Sequence, residues 1–361
     1  MLETTNEGSG DDMYAATVDF ISDDDGSIFE EEGDKVVQVN TFLGSVTGRQ
    51  TKLKTNETVF KFLGIPYARP PIGNLRFKPP QPVAAYDDLQ ALEFGSICPQ
   101  HAFNGEVTSE IVGNEDCLFL NIFTISLPQN ETSAKLKPVM LWIHGGAFVF
   151  GSSNIYDPAP LIKKNVVVVT INYRLGGLGF LTFGNDIVGG NMGIRDQIAA
   201  VQWTFSFIQY FGGDPTKITI FGESAGAISV NAIQLSPKSL GLISGAIIQS
   251  GTMLAYRTDA EVNKPERIAA KLASVFNCTS TSYDSAMLDC LQDISIEDFL
   301  VQTKVSLQIE EKETDEFERG IWQPVVDSYS SDPVIPVDPL TALSRGQFNR
   351  VPIITGKQRN S

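Results

Sequence analysis

Ten residues, Ile218-Thr219-Ile220-Phe221-Gly222-Glu223-Ser224-Ala225-Gly226-Ala227, restrict the fold more than any other stretch of this chain. A β-branched and aromatic run runs without a spacer into Gly-x-Ser-x-Gly and then into small residues that suit a helix start. Joining a strand to a helix with no loop requires a sharp, strained turn, and flanking glycines leave room for it. Such a turn presents the Ser224 hydroxyl at the carboxyl end of a sheet. The following helix aims its positive end and the Ala225 N–H at the same point, where a developing oxyanion would be stabilised. A bare Gly-x-Ser-x-Gly is common; the strand-turn-helix setting makes Ser224 the candidate nucleophile.

The rest of the chain supplies a sheet for that turn. Val139–Ile143 is a short apolar run, and Val166–Ile171 (VVVVTI) is continuous and β-branched, as a strand buried on both faces should be. Ala246–Ile248 and Val351–Thr355 read as further strands. Asp157–Lys164 leaves room for a short crossover. Met192–Phe211 carries apolar residues at helical spacing (Ile194, Ile198, Val201, Phe205, Ile208) before Gly212-Gly213-Asp214-Pro215 stops it, and Val262–Phe276 is a second helix. Strands alternating with helices predict an α/β fold with a mostly parallel central sheet and helices on both faces. With 361 residues, 42% of them hydrophobic, the chain can bury a large core.

A second source of amide donors follows Val139–Ile143 directly, in His144-Gly145-Gly146-Ala147-Phe148. Small residues there let backbone N–H groups approach a substrate carbonyl. We assign Gly146 and Ala147 as donors, with Gly145 allowing the turn, so that Gly146, Ala147 and Ala225 form the candidate oxyanion hole.

Charge excludes one class of partner. Of a net charge of −16, twelve acidic residues lie between Met1 and Asp34 with no Lys or Arg among them, leaving −4 for the remaining 327 residues. We expect residues 1–34 to be a disordered acidic leader, with a cation or a basic partner as its ligand if it has one, and nucleic acid to be excluded by phosphate repulsion. The leader has no basic n-region, and no run of the sequence is apolar enough to span a membrane. Four cysteines form two near pairs, Cys98 with Cys117 and Cys278 with Cys290, though three connectivities are open. Sequons at Asn56, Asn130 and Asn277 are candidate glycosylation sites. Together these predict an extracellular or secretory setting. No cofactor and no metal is expected.

At this point the chain resembles the type-B carboxylesterases, the family of cholinesterases, juvenile hormone esterases and bile-salt-stimulated lipase. The matching motifs are Phe62-Leu63-Gly64-Ile65-Pro66-Tyr67-Ala68 with Arg76-Phe77, Asn114-Glu115-Asp116-Cys117-Leu118-Phe119-Leu120-Asn121, the His144–Phe148 loop, Asn172-Tyr173-Arg174, Asp196-Gln197 and Phe211-Gly212-Gly213-Asp214-Pro215. The Ser224 turn, Gln249-Ser250-Gly251 and Pro324-Val325-Val326-Asp327 continue the series in family order. The resemblance implies an α/β-hydrolase fold over residues 35–361, acyl-enzyme chemistry on a small carboxylic ester through Ser224, and disulfides Cys98–Cys117 and Cys278–Cys290. It also implies ion pairs of Glu115 with Arg69 and of Asp196 with Arg174.

The chain also departs from the family. The segment expected to carry the triad acid reads Gly356-Lys357-Gln358-Arg359-Asn360-Ser361, which puts Ser361 at the acid position, and the general base should come later still. The chain has two histidines: His144 in the glycine loop, and His101, expected in a solvated loop far upstream. The domain is therefore expected to be truncated, with C-terminal strands missing, Val351–Thr355 near an uncovered edge, and activity low or absent. Phe103 is the one carbocyclic aromatic between Cys98 and Cys117, so without a tryptophan there a choline ester is not the expected substrate. The alternative reading is a noncatalytic binding or adhesion domain, as in neuroligin-like proteins.

Overall fold

Val167–Ile171 is buried at all five positions. Successive strand side chains point to opposite faces, and here Val167, Val169 and Ile171 join one hydrophobic cluster while Val168 joins another with Leu53, Phe123 and Ile162. The sheet is thus covered on both sides at this strand. Burying each of these side chains contributes about 1.5–3 kcal/mol.

The computed structural model describes residues 29–53, 55–104, 107–128, 135–254, 265–278, 283–308 and 322–357. Met1–Ile28, Asn130 and Ser361, for which expectations were stated above, lie outside them. The strands are β1 (Phe29–Thr41), β2 (Gly44–Leu53), β3 (Thr58–Pro66), β4 (Asp88–Gln90), β5 (Gln100–Phe103), β6 (Val107–Val112), β7 (Phe119–Thr124), β8 (Lys137–Ile143), β9 (Val167–Ile171), β10 (Gly213–Glu223), β11 (Gly245–Gln249) and β12 (Ile353–Gly356). The helices are α1 (Ala159–Ile162), α2 (Gly176–Phe180), α3 (Met192–Phe207), α4 (Ala225–Leu235), α5 (Pro265–Val275), α6 (Ser285–Gln292), α7 (Ile296–Gln308) and α8 (Pro339–Ser344). β1 begins inside the acidic stretch, so Phe29–Asp34 is part of a strand.

The main sheet runs β1-β2-β3-β7-β9-β8-β10-β11-β12, with β4 paired to β2. From β9 to β12 every pairing is parallel. From β1 through β7 to β9 the neighbours are antiparallel. The sheet of this α/β-hydrolase fold is therefore mixed, and its parallel half carries the Ser224 turn. There β8, β10, β11 and β12 end level: Ile143 pairs with Gly222, and Glu223 and Gly356 both pair with Gln249. Ligands in open α/β sheets bind outside these carboxyl ends. β12 is the edge, and all four of its residues are exposed, Ile354 at 66%.

Both disulfides form as the resemblance implied, Cys98–Cys117 and Cys278–Cys290. The first closes a loop across 19 positions, and both of its cysteines are buried. Replacing both by serine should lower stability by about 3 kcal/mol, read as a shift in the urea midpoint; an unchanged midpoint would contradict a structural role. Asp196 pairs with Arg174 as expected. The partner of Glu115 needs correction. Arg76, not Arg69, binds it, through Nε and Nη2 at 2.6 Å each, because Arg76 is buried and its Nη1 also donates to the Gln292 and Ile294 carbonyls. Arg69 is exposed.

Candidate active site

Ser224 takes φ 54° and ψ −122° between β10 and α4. An L-residue held there stores on the order of 1–3 kcal/mol of strain. A serine before a helix ordinarily turns its hydroxyl back to cap the first turn; here it makes no capping bond. Its own N–H donates to the Gln249 carbonyl at 2.9 Å, tying the turn to β11. The residue is half-buried.

The two motif glycines are required by close approach. A Cβ on Gly226 would lie 2.1 Å from the Ile143 carbonyl oxygen, and one on Gly222 would lie 2.6 Å from the Gly226 backbone. The first turn of α4 therefore lies against the end of β8, which brings the following loop to Ser224. A Cβ on Gly145 would sit 3.4 Å from the Ser224 Cβ and 2.8 Å from the Glu223 carbonyl oxygen.

Three consecutive residues of that loop have positive φ: Gly146 at 104°, Ala147 at 50° and Phe148 at 62°. The Gly146 carbonyl accepts from Val149 and Phe150. Among the described residues the N–H groups of Gly146, Ala147 and Ala225 donate to no protein acceptor. Phe148 is fully buried, edge-on to Phe180.

Both histidines have structural partners. His144 is buried, and because a carbonyl can only accept, its Nδ1 carries a proton and donates to the Gly145 oxygen at 2.8 Å. The ring stacks on Tyr173, whose hydroxyl donates to the His144 carbonyl. Burial pushes the imidazole down from 6.5 to about 4, only partly opposed by the bond to Gly145. The unfolded chain thus takes up a proton near pH 6.5 and the folded chain near 4, so stability rises with pH across that window. Acidification through it should cost about 3 kcal/mol, and His144→Gln should flatten the dependence of the melting midpoint on pH. Equal slopes in the two proteins would refute this. His101 is not in a solvated loop: it lies half-buried on β5, and its Nε2 donates to the Leu300 carbonyl of α7 at 3.3 Å. The β5–β6 pairing and the packing of α7 take it out of solvent.

Other groups at the site were not read from the sequence. Glu223 is half-buried beside Ser224, and burial raises its carboxyl above the usual range. Tyr156 packs on Trp142, and burial first, then the Glu223 charge, push its phenol up to about 12. Gln100 of β5 grips Gly151 at the far end of the glycine loop. Only its position near Glu223 and the Gly145 backbone could have marked Tyr156, and that is a tertiary fact. Asn56 and Asn277 are exposed at turns. Among the described residues, no three His, Cys, Asp or Glu side chains are grouped to hold a metal ion, and no helix is long and apolar enough to cross a membrane.

The sequence can now be set beside known proteins. It is 38% identical over 334 residues to a carboxylic ester hydrolase of Bombus ignitus and 37% over 336 residues to venom carboxylesterase-6 of Apis mellifera, covering 91% of this chain and 57% of each relative. It is 39% identical over 337 residues to carboxylesterase 1D of Rattus norvegicus, covering 88% of this chain and 57% of that protein. The chain thus spans a little over half the length of these relatives. The model of the carboxylesterase family matches residues 33–361, and with the strained serine turn lying against the glycine loop, this chain belongs to that family.

Proposed function

We propose that this chain acts on small carboxylic esters by an acyl-enzyme route. Ser224 Oγ attacks the ester carbonyl carbon, the N–H groups of Gly146, Ala147 and Ala225 take up the charge on oxygen, and water later releases the acid. The observation that carries this reading is the hydroxyl of Ser224, held at positive φ, not used as a cap, and against a loop with unengaged amides. Residues 35–361 belong to the α/β-hydrolase domain in this reading, joined through β1 by Phe29–Asp34, and the acidic residues ahead of β1 suit a cation or basic partner. The two disulfides and the exposed sequon residues Asn56 and Asn277 support an extracellular, glycosylated protein.

A serine hydroxyl is a weak nucleophile unless a base takes its proton. Neither His144 nor His101 is hydrogen-bonded to Ser224 among the described residues. In this chain acylation is therefore slow and turnover slower still, since losing a triad imidazole lowers turnover about 10⁶-fold. The alternative reading is a noncatalytic cholinesterase-like binding or adhesion domain. Incubation with a fluorophosphonate and with short p-nitrophenyl esters separates the two. Slow stoichiometric labelling with little steady hydrolysis is expected, whereas no labelling and no hydrolysis would leave the binding domain.

A further inference from the structure

The glycine loop holds two non-glycine residues, Ala147 and Phe148, at positive φ. Such residues persist only where their surroundings over-determine them, so something must fix the loop at both ends. At His144 the tie is the Tyr173 hydroxyl on the backbone carbonyl. At the other end stands Gly151, with φ 114°, where a Cβ would lie 2.5 Å from His144 Nδ1 and 2.7 Å from the Gly145 carbonyl oxygen. Gly151 is thus folded back on the start of its own loop.

The Gln100 side chain holds it there. Gln100 is buried; its Oε1 accepts from the Gly151 N–H at 2.7 Å and its Nε2 donates to the Gly151 carbonyl at 2.9 Å. That Nε2 also donates to the Cys98 carbonyl at 2.9 Å, so the amide is anchored to the buried Cys98–Cys117 disulfide. Three positions after Gln100, Phe103 stacks on Phe150, the residue before Gly151, at 4.4 Å and 6° between ring planes.

We propose that Gln100 is a positioning residue for the oxyanion loop: its two hydrogen bonds to Gly151 hold the Gly146 and Ala147 amides in the orientation that faces Ser224. This rests on the reading of Ser224 given above. The fork satisfies both backbone groups of Gly151 as a neighbouring strand would, and it transmits the rigidity of the disulfide loop to the strained turn. Without it, Ala147 and Phe148 relax toward negative φ and their amides rotate.

The test uses Gln100→Met, which keeps the volume and loses both bonds to Gly151 with the one to Cys98, Gln100→Glu, which keeps the acceptor alone, and Thr204→Val, which removes a buried hydrogen bond from Thr204 to Ala200 in α3, away from the loop. Two quantities are measured on the full chain: the rate and saturation constant of fluorophosphonate labelling, and amide hydrogen exchange of residues 144–151. Gln100→Met should speed exchange at Val149–Gly151 and lower the maximal labelling rate about 10- to 100-fold, with the saturation constant unchanged. Gln100→Glu should fall between it and the parent, and Thr204→Val should change neither quantity at the loop. Unchanged exchange in Gln100→Met overturns the proposal, and so does faster exchange with an unchanged labelling rate. If the parent protein is not labelled at all, the Ser224 reading fails, and exchange alone then decides whether Gln100 holds the loop.

Discussion

Ser224→Ala should abolish fluorophosphonate labelling while leaving the thermal midpoint where it was. Removing a serine before a helix usually costs about 1 kcal/mol because a cap is lost, but this hydroxyl caps nothing. Alanine also inherits the same unfavourable φ of 54°, so strain is unchanged. Ser224→Gly should abolish labelling as well and, by relieving that strain, raise stability by about 1 kcal/mol. The pair of variants separates chemistry from folding, because both lose the nucleophile and one gains stability. Labelling that survives in Ser224→Ala would move the nucleophile elsewhere and remove the basis of the functional reading.

The largest stability effect is expected at Arg174. Its Nε and Nη2 each lie 2.7 Å from a different oxygen of Asp196, whose side chain is completely buried, and Nη1 donates to the Lys78 carbonyl. Arg174→Leu leaves that carboxylate in the core without its cation, at a cost of about 3–5 kcal/mol. Arg174→Leu combined with Asp196→Leu should recover a large part of the loss, because the penalty belongs to the orphaned charge and not to the missing pair. Urea unfolding of the two proteins decides it, and a double variant as unstable as the single one would refute the account. Arg174 follows Tyr173, which holds His144, so the single variant should also loosen the glycine loop.

How much of this could be read from the residues depends on how local each feature is. The Ser224 turn was legible because strand, glycines and helix start are contiguous, and β9 because five consecutive β-branched or threonine positions leave little else. The antiparallel half was not, although β1, β2 and β3 pair as local hairpins, Thr41 with Gly44 and Lys52 with Thr58: β2 buries Val46, Thr47 and Gly48 in a row, so it carries no clean alternation. Glu115 had two arginines within reach in sequence, and only the carbonyls of Gln292 and Ile294, supplied by α6 and the turn after it, select Arg76. Ala147 and Phe148 adopt a conformation against their own preference, imposed by Tyr173 and Gln100, so no propensity could announce it.

The Arg76 guanidinium sits 216 and 218 positions ahead of the carbonyls that complete its shell. A ribosome adding about 5–20 residues per second needs roughly 10–40 s to deliver them. Over that interval the nascent chain can engage Glu115 but must leave Nη1 to water, so the segment around Arg76 waits, open to holdases and proteases, for α6 and the turn after it to emerge.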